Sequence, residues 1–286
     1  MRAAALALIG VLLAPALAGA QEEARPAPKR SFKLNKHETP ARVRFSVKNL
    51  EPFPITVTIE IKQLENLKPD QALPVSRVIP PGRNLRVLVL KRIDPERAWA
   101  YGDARAWHQI GSIAAKHDPK AVYRLPFPAD QAIRVSQGAL GKASHQGKHA
   151  YDFAIPAGQP ILACRAGRVV QVVQRFKKGG DDKALETKGN RVAVLHADGS
   201  FGIYGHLQHE GALVELGQEV KAGEPIGRCG ATGYAKAPHL HFEVRLAQRG
   251  RRDAATIPVR FATKRGVVEL QGRERYRHPL EPRPRD

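Results

Sequence analysis

Cysteine is nearly absent from this chain of 286 residues, which contains only Cys164 and Cys229. Two cysteines cannot build a disulfide-rich scaffold, and neither belongs to a Cys-x-x-Cys pair of the kind that binds structural zinc. Aromatic residues are also scarce, at 6% of the sequence. This low content and the lack of any nucleic-acid motif argue against a nucleic-acid partner.

Long apolar runs are confined to the first residues. The segment MRAAALALIGVLLAPALAGAQEEA has a basic residue at position 2, an apolar run from Ala3 to Leu17 and small residues at Ala18-Gly19-Ala20. This pattern is typical of a cleaved signal peptide, predicted here as residues 1–20. A membrane anchor is the alternative, but it needs about 20 unbroken apolar residues. We therefore expect an exported protein, periplasmic or secreted, that does not span the membrane.

Export bears on the two cysteines, because disulfides persist in oxidising compartments. We predict a disulfide between Cys164 and Cys229, which on the chain-entropy description would stabilise the fold by roughly 4 kcal/mol. Two buried free thiols are the alternative that the sequence leaves open.

Acidic residues are outnumbered, since 47 Lys and Arg residues stand against 27 Asp and Glu residues and give a formal net charge of +20 at pH 7. Such an excess favours an anionic partner. A charged, solvated surface and a frayed tail account for most of the basic residues. The functional alternative for an exported protein is a general affinity for an anionic envelope polymer or lipid surface.

Alternation of polar and apolar residues with period two runs through the first half of the mature chain, from about Ser31 to about Val122. It is visible in ARVRFSVKNL, FPITVTIEIKQLENL and NLRVLVLKRI, which turns rich in Pro, Asn and Gly separate. The pattern predicts an immunoglobulin-like β-sandwich, assigned to residues 21–122 as a binding or spacing module. Its histidines, His37, His108 and His117, are scattered singly and are predicted to lie at the surface.

The second half of the chain is also rich in predicted strands. PAGQPILACRAGRVVQVVQ predicts two strands around a turn, and RVAVLHADGSFGIYGHL predicts a hairpin because Asp198-Gly199 is a strong turn signal. GQEVKAGEPIGRCGATG adds a further short strand pair. These segments predict an antiparallel sheet. The whole chain is therefore expected to be all-β, with a second domain at residues 123–286 that ends in a basic tail.

Histidines collect in three short segments of this second half, which hold five of the chain's eleven. In PHLHFEV, residues i and i+2 of a strand leave on the same face, so the two histidines would have Cα atoms about 6.5 Å apart. Two surface histidines are the simpler explanation for an isolated His-x-His, so the other segments must decide. The three segments together supply His145, His149, Asp152, His206, His239 and His241.

Such a set has the chemistry of a catalytic zinc site, which takes three nitrogen or oxygen ligands from the protein and keeps one position open. Zinc lowers the pKa of a bound water to about 7 and polarises a carbonyl group. The remaining histidines could then accept a proton or stabilise an oxyanion. If the three segments converge, we expect one zinc ion per chain.

Four segments carry a resemblance to a known family. SHQGKHAYDFAIPAGQPILACRAGRVV, GNRVAVLHADGSFGIYGHL, VKAGEPIGRCGATG and PHLHFEV, in this order, resemble the lysostaphin-type, or LytM-like, zinc metalloendopeptidases, which cut peptide bonds in peptidoglycan. The resemblance covers about Tyr123 to Val244. It implies an antiparallel β-sheet peptidase domain, zinc as the cofactor and peptidoglycan as the substrate.

The resemblance also implies roles for individual residues. In the family the zinc ligands are the His and Asp of an H-x(n)-D motif and the second His of H-x-H, which correspond here to His145, Asp152 and His241. Its two catalytic histidines orient and deprotonate the water and stabilise the transition state. These two positions fall on His206 and His239.

One departure from the family pattern affects the first ligand. Many relatives have a short H-x-x-x-D motif, whereas six residues separate His145 from Asp152 and His149 lies between them. We favour His145, as in a subgroup with a longer loop, and His149 remains a rival ligand or a supporting residue near the metal. Tyr204 would share the strand face of the YGHL histidine and either bind substrate or pack, and Asn190 is predicted to make a structural hydrogen bond.

The complete set of residues implies a zinc endopeptidase that hydrolyses the cross-links or stem peptides of peptidoglycan, because family members that lack ligands act as noncatalytic activators. The first alternative is a zinc-binding regulatory protein that docks to another cell-wall hydrolase and activates it. The second is a secreted bacteriolytic or general protease that cuts glycine-rich peptides. The bond that is cut depends on groove loops such as RFKKGGDDKALETKG (Arg175–Gly189), a predicted mobile surface loop that could border the groove.

Overall fold

The structure is a computed structural model that describes residues 31–279. The predicted signal peptide and the last residues of the basic tail lie outside the described residues. Within this range the chain is all-β, as predicted, with 25 strands, no α-helix and one 3₁₀ turn at Lys183–Leu185. A search of the same range finds no helix with the length and apolar character to cross a membrane.

Nine strands build the N-terminal part of the chain. Their bounds are β1 Phe32–Thr39, β2 Arg42–Asn49, β3 Ile55–Glu60, β4 Leu64–Glu65, β5 Leu67–Pro69, β6 Val75–Ile79, β7 Asn84–Arg92, β8 Ala100–Tyr101 and β9 Arg105–Ile110. A four-stranded sheet has the order β1-β2-β7-β5, and a three-stranded sheet has the order β6-β3-β9. All of their strand pairs are antiparallel.

These two sheets share one hydrophobic core. In β2 the alternation in the sequence places Phe45 and Val47 inside, and β3 contributes Ile55 and Val57, all essentially without solvent exposure. The core does not end at the N-terminal sheets, because the buried side chain of Ala193 from the C-terminal sheet belongs to the same cluster. Apolar packing therefore continues from the N-terminal sheets onto the sheet that carries the histidines.

Sixteen strands follow. Their bounds are β10 Val122–Tyr123, β11 Ile133–Gln137, β12 Ala150–Phe153, β13 Pro160–Leu162, β14 Gly167–Val173, β15 Gly179–Gly180, β16 Asn190–Leu195, β17 Phe201–Ala212, β18 Glu219–Val220, β19 Pro225–Cys229, β20 Gly233–Tyr234, β21 Leu240–Leu246, β22 Ala255–Thr256, β23 Arg260–Thr263, β24 Gly266–Val268 and β25 Arg275–Tyr276.

The largest sheet in this part has eleven strands. Eight of them follow the order β18-β14-β16-β17-β21-β12-β11-β25, while β13 pairs with β19, β19 also pairs with β17, and β22 pairs with β21. The pairs within this sheet are antiparallel, as expected from the sequence. The predicted hairpin at Asp198-Gly199 joins β16 to β17, and Gly199 has a φ of 81°, which glycine adopts without strain.

Both cysteines are free thiols in the core, so the prediction of a Cys164–Cys229 disulfide is wrong. The Cys229 thiol donates a hydrogen bond to the Ile155 carbonyl at 3.1 Å. The backbone N–H of Cys164 donates to the hydroxyl of buried Tyr204 at 2.7 Å. Burial raises the pKa of both thiols. The two side chains therefore act as small apolar core residues.

The N-terminal sheets hold the loop that follows β21. The buried side chain of Gln109 donates to the carbonyls of Gln248 and Arg251 at 2.8 and 2.6 Å and accepts from the Gln248 N–H at 2.9 Å. The Trp107 indole donates to the Arg251 carbonyl at 2.7 Å. The Ser76 hydroxyl accepts from the N–H of Gly250 at 2.9 Å. Side chains of β6 and β9 thus hold the backbone of this loop through hydrogen bonds.

Candidate active site

Adjacent strands bring the predicted ligands together. In the pairing of β12 with β21, Asp152 stands opposite His241, and in the pairing of β17 with β21, Gly205 stands opposite His241 on the other side. His145 lies in the loop before β12 and is completely buried. The register of the sheet therefore places Asp152 and His241 side by side, and the loop adds His145.

The three predicted ligands form one compact cluster. His145 Nε2 lies 3.2 Å and His241 Nδ1 lies 2.9 Å from Asp152 Oδ1. One ligand atom from each residue lies within 4.8 Å of the other two. Tetrahedral zinc with bonds of about 2.0–2.2 Å needs ligand atoms ~3.4 Å apart. The donor set and its spacing therefore fit zinc.

The surroundings of His145 fix its tautomer. Its Nδ1 lies 3.0 Å from the Gly138 carbonyl, which can only accept a hydrogen bond, so Nδ1 carries the proton and Nε2 has the lone pair. The contact of Nε2 with Asp152 lacks hydrogen-bond geometry, so this buried nitrogen has no hydrogen-bond partner among residues 31–279. Metal-binding histidines commonly donate their other N–H in this way.

Glu243 extends the cluster behind His241 and was missed in the sequence analysis. Its Oε2 lies 3.6 Å from His241 Nε2, while its Oε1 accepts from Arg245 Nε at 2.8 Å. Glu243 is buried, two residues beyond His241 on the same strand. The period-two rule that pairs the histidines of His-x-His applies equally to this position and would have found it.

The charges of the cluster favour a cation. Burial alone would raise the pKa of Asp152, but its hydrogen bond with His241 outweighs burial and holds the pKa well below its ordinary value. Burial alone would lower the pKa of His241, but the hydrogen bond to Asp152 and the nearby negative charge of Glu243 outweigh burial and raise it to about 9. Two ionised carboxylates beside two imidazoles are an environment in which positive charge is stabilised.

His206 reaches the site through an irregularity of β17. In the pairing with β16, Asn190 opposes Leu207 and Arg191 opposes Gly205, so His206 is the extra residue of a β-bulge, with a φ of 59°. A bulge redirects a side chain and is common beside active sites. His206 Nδ1 is 2.7 Å from the Thr232 carbonyl, which leaves the Nε2 lone pair free.

The pKa of His206 suits a proton acceptor. Burial, together with repulsion from His239 and His241, lowers this pKa to about 4. The imidazole is therefore neutral at pH 7.

His239 completes the group of histidines. Strand β21 begins at Leu240, so His239 directly precedes it and is not itself part of a strand, in contrast to the expectation from the sequence. Its Nδ1 lies 2.9 Å from the Ala237 carbonyl, and its Nε2 lies 3.9 Å from Asp152 Oδ1. The ring centroid of His239 is 4.6 Å from that of His206. The two histidines therefore stand together beside the three-ligand cluster.

Three other predicted residues take different places. His149 is not part of the three-residue cluster, and its backbone N–H donates to Thr256 Oγ1. Tyr204 is fully buried in the core and does not share the environment of His206, because the bulge breaks the alternation. Asn190 makes the predicted structural hydrogen bonds, donating to the carbonyls of Phe176 and Gln208 and accepting from the N–H of Phe176.

A groove of about 1540 Å³ is lined by Asp152, His206, His239 and His241, whereas the fully buried His145 is not part of its lining. The predicted surface loop 175–189 contributes Lys183 and Glu186 to the lining, and the N-terminal strand β9 contributes His108. His108 and His117 are half-buried, so the prediction that all three N-terminal histidines lie at the surface is wrong for these two. His117 Nδ1 instead contacts Asp198 Oδ2 at 3.1 Å.

Residues 146–253 match peptidase family M23, a range that starts one residue after His145 and includes Asp152, His206, His239 and His241. The chain carries an M23 peptidase domain. Similar proteins include the cell division protein DipM of Caulobacter vibrioides, 35% identical over 106 residues that cover 37% of this chain and 16% of DipM.

Two further relatives match part of this chain. The peptidoglycan DD-endopeptidase ShyB of Vibrio cholerae is 34% identical over 130 residues, covering 43% of this chain and 28% of ShyB. Lysostaphin of Staphylococcus staphylolyticus is 32% identical over 122 residues, covering 42% of this chain and 23% of lysostaphin. This chain therefore spans less than a third of the length of each of these three relatives.

Proposed function

We propose that this protein is a zinc-dependent endopeptidase that hydrolyses peptide cross-links or stem peptides of peptidoglycan. The observation that supports it most is the cluster of His145, Asp152 and His241 beside the paired rings of His206 and His239, at a groove that four of the five line. Relatives named as an endopeptidase of peptidoglycan and as lysostaphin support the substrate class.

Zinc would be held by His145 Nε2, a carboxylate oxygen of Asp152 and His241 Nδ1. When bound, it supplies Lewis-acid polarisation of the scissile carbonyl and makes a water molecule more acidic. Gly138 and Glu243 orient the two histidine rings through their other ring nitrogens, a role that outer partners of metal ligands commonly have.

His206 and His239 are the proposed catalytic residues. Each has its Nδ1 proton directed at a backbone carbonyl, so the Nε2 atoms provide the lone pairs that take up a proton from the attacking water. After this transfer, the protonated imidazole can donate to the developing oxyanion or to the leaving amine. The neutral state of His206 at pH 7 suits it to accept the first proton.

Digestion of purified cross-linked muropeptides by the zinc-loaded protein tests this function. We expect new peptide termini, identified by mass spectrometry, that disappear in the His239→Ala variant. Intact muropeptides, together with stimulation of a separate amidase by the zinc-loaded protein, would support the regulatory alternative instead. Cleavage of glycine-rich peptides but not of muropeptides would favour the bacteriolytic or general protease.

The context of the enzyme is part of the proposal. Residues 1–20 act as a signal peptide, so the mature protein works in the periplasm or outside the cell. Residues 21–122 form an immunoglobulin-like domain, and residues 123–286 form the peptidase domain with its basic tail. The net charge of +20 attracts anionic envelope polymers, so binding to isolated cell-wall sacculi should weaken as salt screens the charge. Binding that is equal at low and high salt would contradict this attraction.

A further inference from the structure

Arg191 is a half-buried cation in the groove with no acidic partner. Its guanidinium makes no ion pair with any carboxylate of residues 31–279, although Arg165, Arg168, Arg245 and Arg265 all do. Burial and the nearby charges of Arg245 and Arg175 lower its pKa. An uncompensated charge in a partly desolvated position destabilises the fold, which calls for a role other than packing.

The protein holds this guanidinium in a fixed orientation. Arg191 Nε donates to Gln171 Oε1 at 2.8 Å, and Nη1 donates to the Gly189 carbonyl at 3.3 Å. Neutral acceptors therefore fix the side chain while its charge stays available, and Nη2 makes no hydrogen bond in the described part of the chain. A fixed guanidinium is the side chain best suited to bind a carboxylate with two hydrogen bonds.

The acidic residues that line the same groove either have other partners or are exposed to solvent. Asp152 belongs to the metal cluster, and Glu243 pairs with Arg245. The groove-lining carboxylates of Glu186 and Asp253 are exposed and form no ion pair with Arg191. The positive charge of Arg191 is therefore not neutralised from within the groove.

Sheet register places Arg191 near the candidate metal site. Arg191 stands opposite Gly205, and Gly205 stands opposite His241. Arg191 is therefore two strands from His241, and the Cα atoms of the two residues are about 10 Å apart. Gly205 has no side chain to fill the space between them, and a Cβ there would lie 3.4 Å from the Cβ of His241. An extended peptide rises about 3.3 Å per residue, so this distance corresponds to about three residues of substrate.

We propose that Arg191 forms a carboxylate-binding subsite of the groove, which accepts a free carboxylate within about three residues of the scissile bond of a peptide substrate. The proposal rests on the proposed peptidase function, and it adds the chemical class that the groove selects. Arg191 acts there as a specificity residue: it contacts the substrate away from the reacting atoms.

The test uses two peptides that share the sequence around a mapped cleavage site and differ only by a free carboxylate or a carboxamide within three residues of it. The full-length zinc-loaded protein should cut the acidic peptide with a kcat/KM about 10- to 100-fold higher, as a charge-assisted hydrogen bond of 1.5–3 kcal/mol allows. Arg191→Gln should remove this preference through KM, leave the amide peptide unaffected and retain zinc.

Arg252→Gln is the matched control, because Arg252 lines the same groove, is exposed and carries the same charge. It should keep the preference for the acidic peptide. Equal losses in the two variants, no preference in the wild type, or equal loss on both peptides in Arg191→Gln would overturn the subsite.

Equilibrium binding of the same peptides separates this proposal from the proposed function. Binding is measured in a His239→Ala background, with and without Arg191→Gln, and does not require turnover. Tighter binding of the acidic peptide that depends on Arg191 supports the subsite even if no cleavage occurs. Equal binding of both peptides contradicts the subsite even if the wild type is an active peptidase.

Discussion

His206 and His239 lie beside the three predicted zinc ligands with their ring centroids 4.6 Å apart, and both direct Nδ1 at a backbone carbonyl. The pairing depends on the β-bulge that turns His206 out of the regular alternation of its strand. In both side chains the lone pair is therefore on the same atom, Nε2.

This arrangement predicts that His206→Ala and His239→Ala lower kcat but keep zinc. The loss should be about 10² to 10⁴-fold for a general acid–base group, and about 10² to 10³-fold for an oxyanion donor. Muropeptide cleavage rates and metal analysis of the same preparations measure both effects. His241→Ala is the reference for a ligand, since it should lose zinc and activity together. Loss of the metal in His239→Ala with retention in His241→Ala would reverse the assignment within His-Leu-His.

Glu243→Gln should weaken zinc binding by about 10- to 100-fold, because it removes the charge behind the ring of His241 while keeping the shape of the side chain. Competition with a chromophoric chelator measures the zinc dissociation constant. Glu186→Gln is the control, since Glu186 also lines the groove but is exposed. Equal zinc affinity in wild type and Glu243→Gln would show that the carboxylate does not support the ligand.

Gln109→Ala should lower the free energy of unfolding by about 1–3 kcal/mol, because it removes the three hydrogen bonds that the buried Gln109 amide makes with the backbone of Gln248 and Arg251. It should also raise KM, since the adjoining Arg252 and Asp253 line the groove. Denaturant unfolding and peptide kinetics test the two effects. Gln248→Ala should change neither, because Gln248 contributes only backbone groups to these contacts. Unfolding curves and KM values that match the wild type in Gln109→Ala would contradict a role in holding the loop.

The buried imidazole of His196 should make the free energy of unfolding sensitive to acid. Burial lowers its pKa to about 4, whereas an unfolded histidine has a pKa of about 6.5. Between these values the unfolded state binds more protons, so the free energy of unfolding falls as pH decreases, by up to about 3 kcal/mol from this residue. The charged or titratable groups around it are Asp198, Arg165, His117 and Tyr123.

The measurement is the difference in unfolding free energy between pH 7 and pH 4.5. This difference should be smaller in His196→Gln than in the wild type, whereas His37→Gln, which changes an exposed histidine, should leave it unchanged. An unchanged difference in His196→Gln would exclude His196 as the source.

Much of this architecture could be predicted from local patterns. Period-two alternation in RVRFSVKN predicts which face of β2 is buried. The turn signal Asp198-Gly199 predicts the hairpin of β16 and β17. Family motifs predicted the five residues that the fold brings close together, four of which line the groove. The predicted disulfide is wrong because spacing along the chain does not reveal whether two buried sulfur atoms lie close enough to bond.

Other features depend on contacts between distant segments. The bulge at His206 arises from a register shift against β16, and no local signal separates it from a regular strand. The hydrogen bonds of Gln109 join residues 139 and 142 positions apart. The lack of an ion pair at Arg191 can be recognised only when the positions of the neighbouring carboxylates are known.

Titration of the metal-free protein with zinc, while cleavage of cross-linked muropeptides is followed, tests the central claim most directly. Cleavage should be absent without zinc and reach its maximum at one zinc per chain in the wild type and in His149→Ala. His145→Ala should neither bind zinc at this stoichiometry nor recover activity, because it lacks one of three protein ligands. Cleavage that persists after complete removal of zinc, or that zinc never restores, would contradict the account.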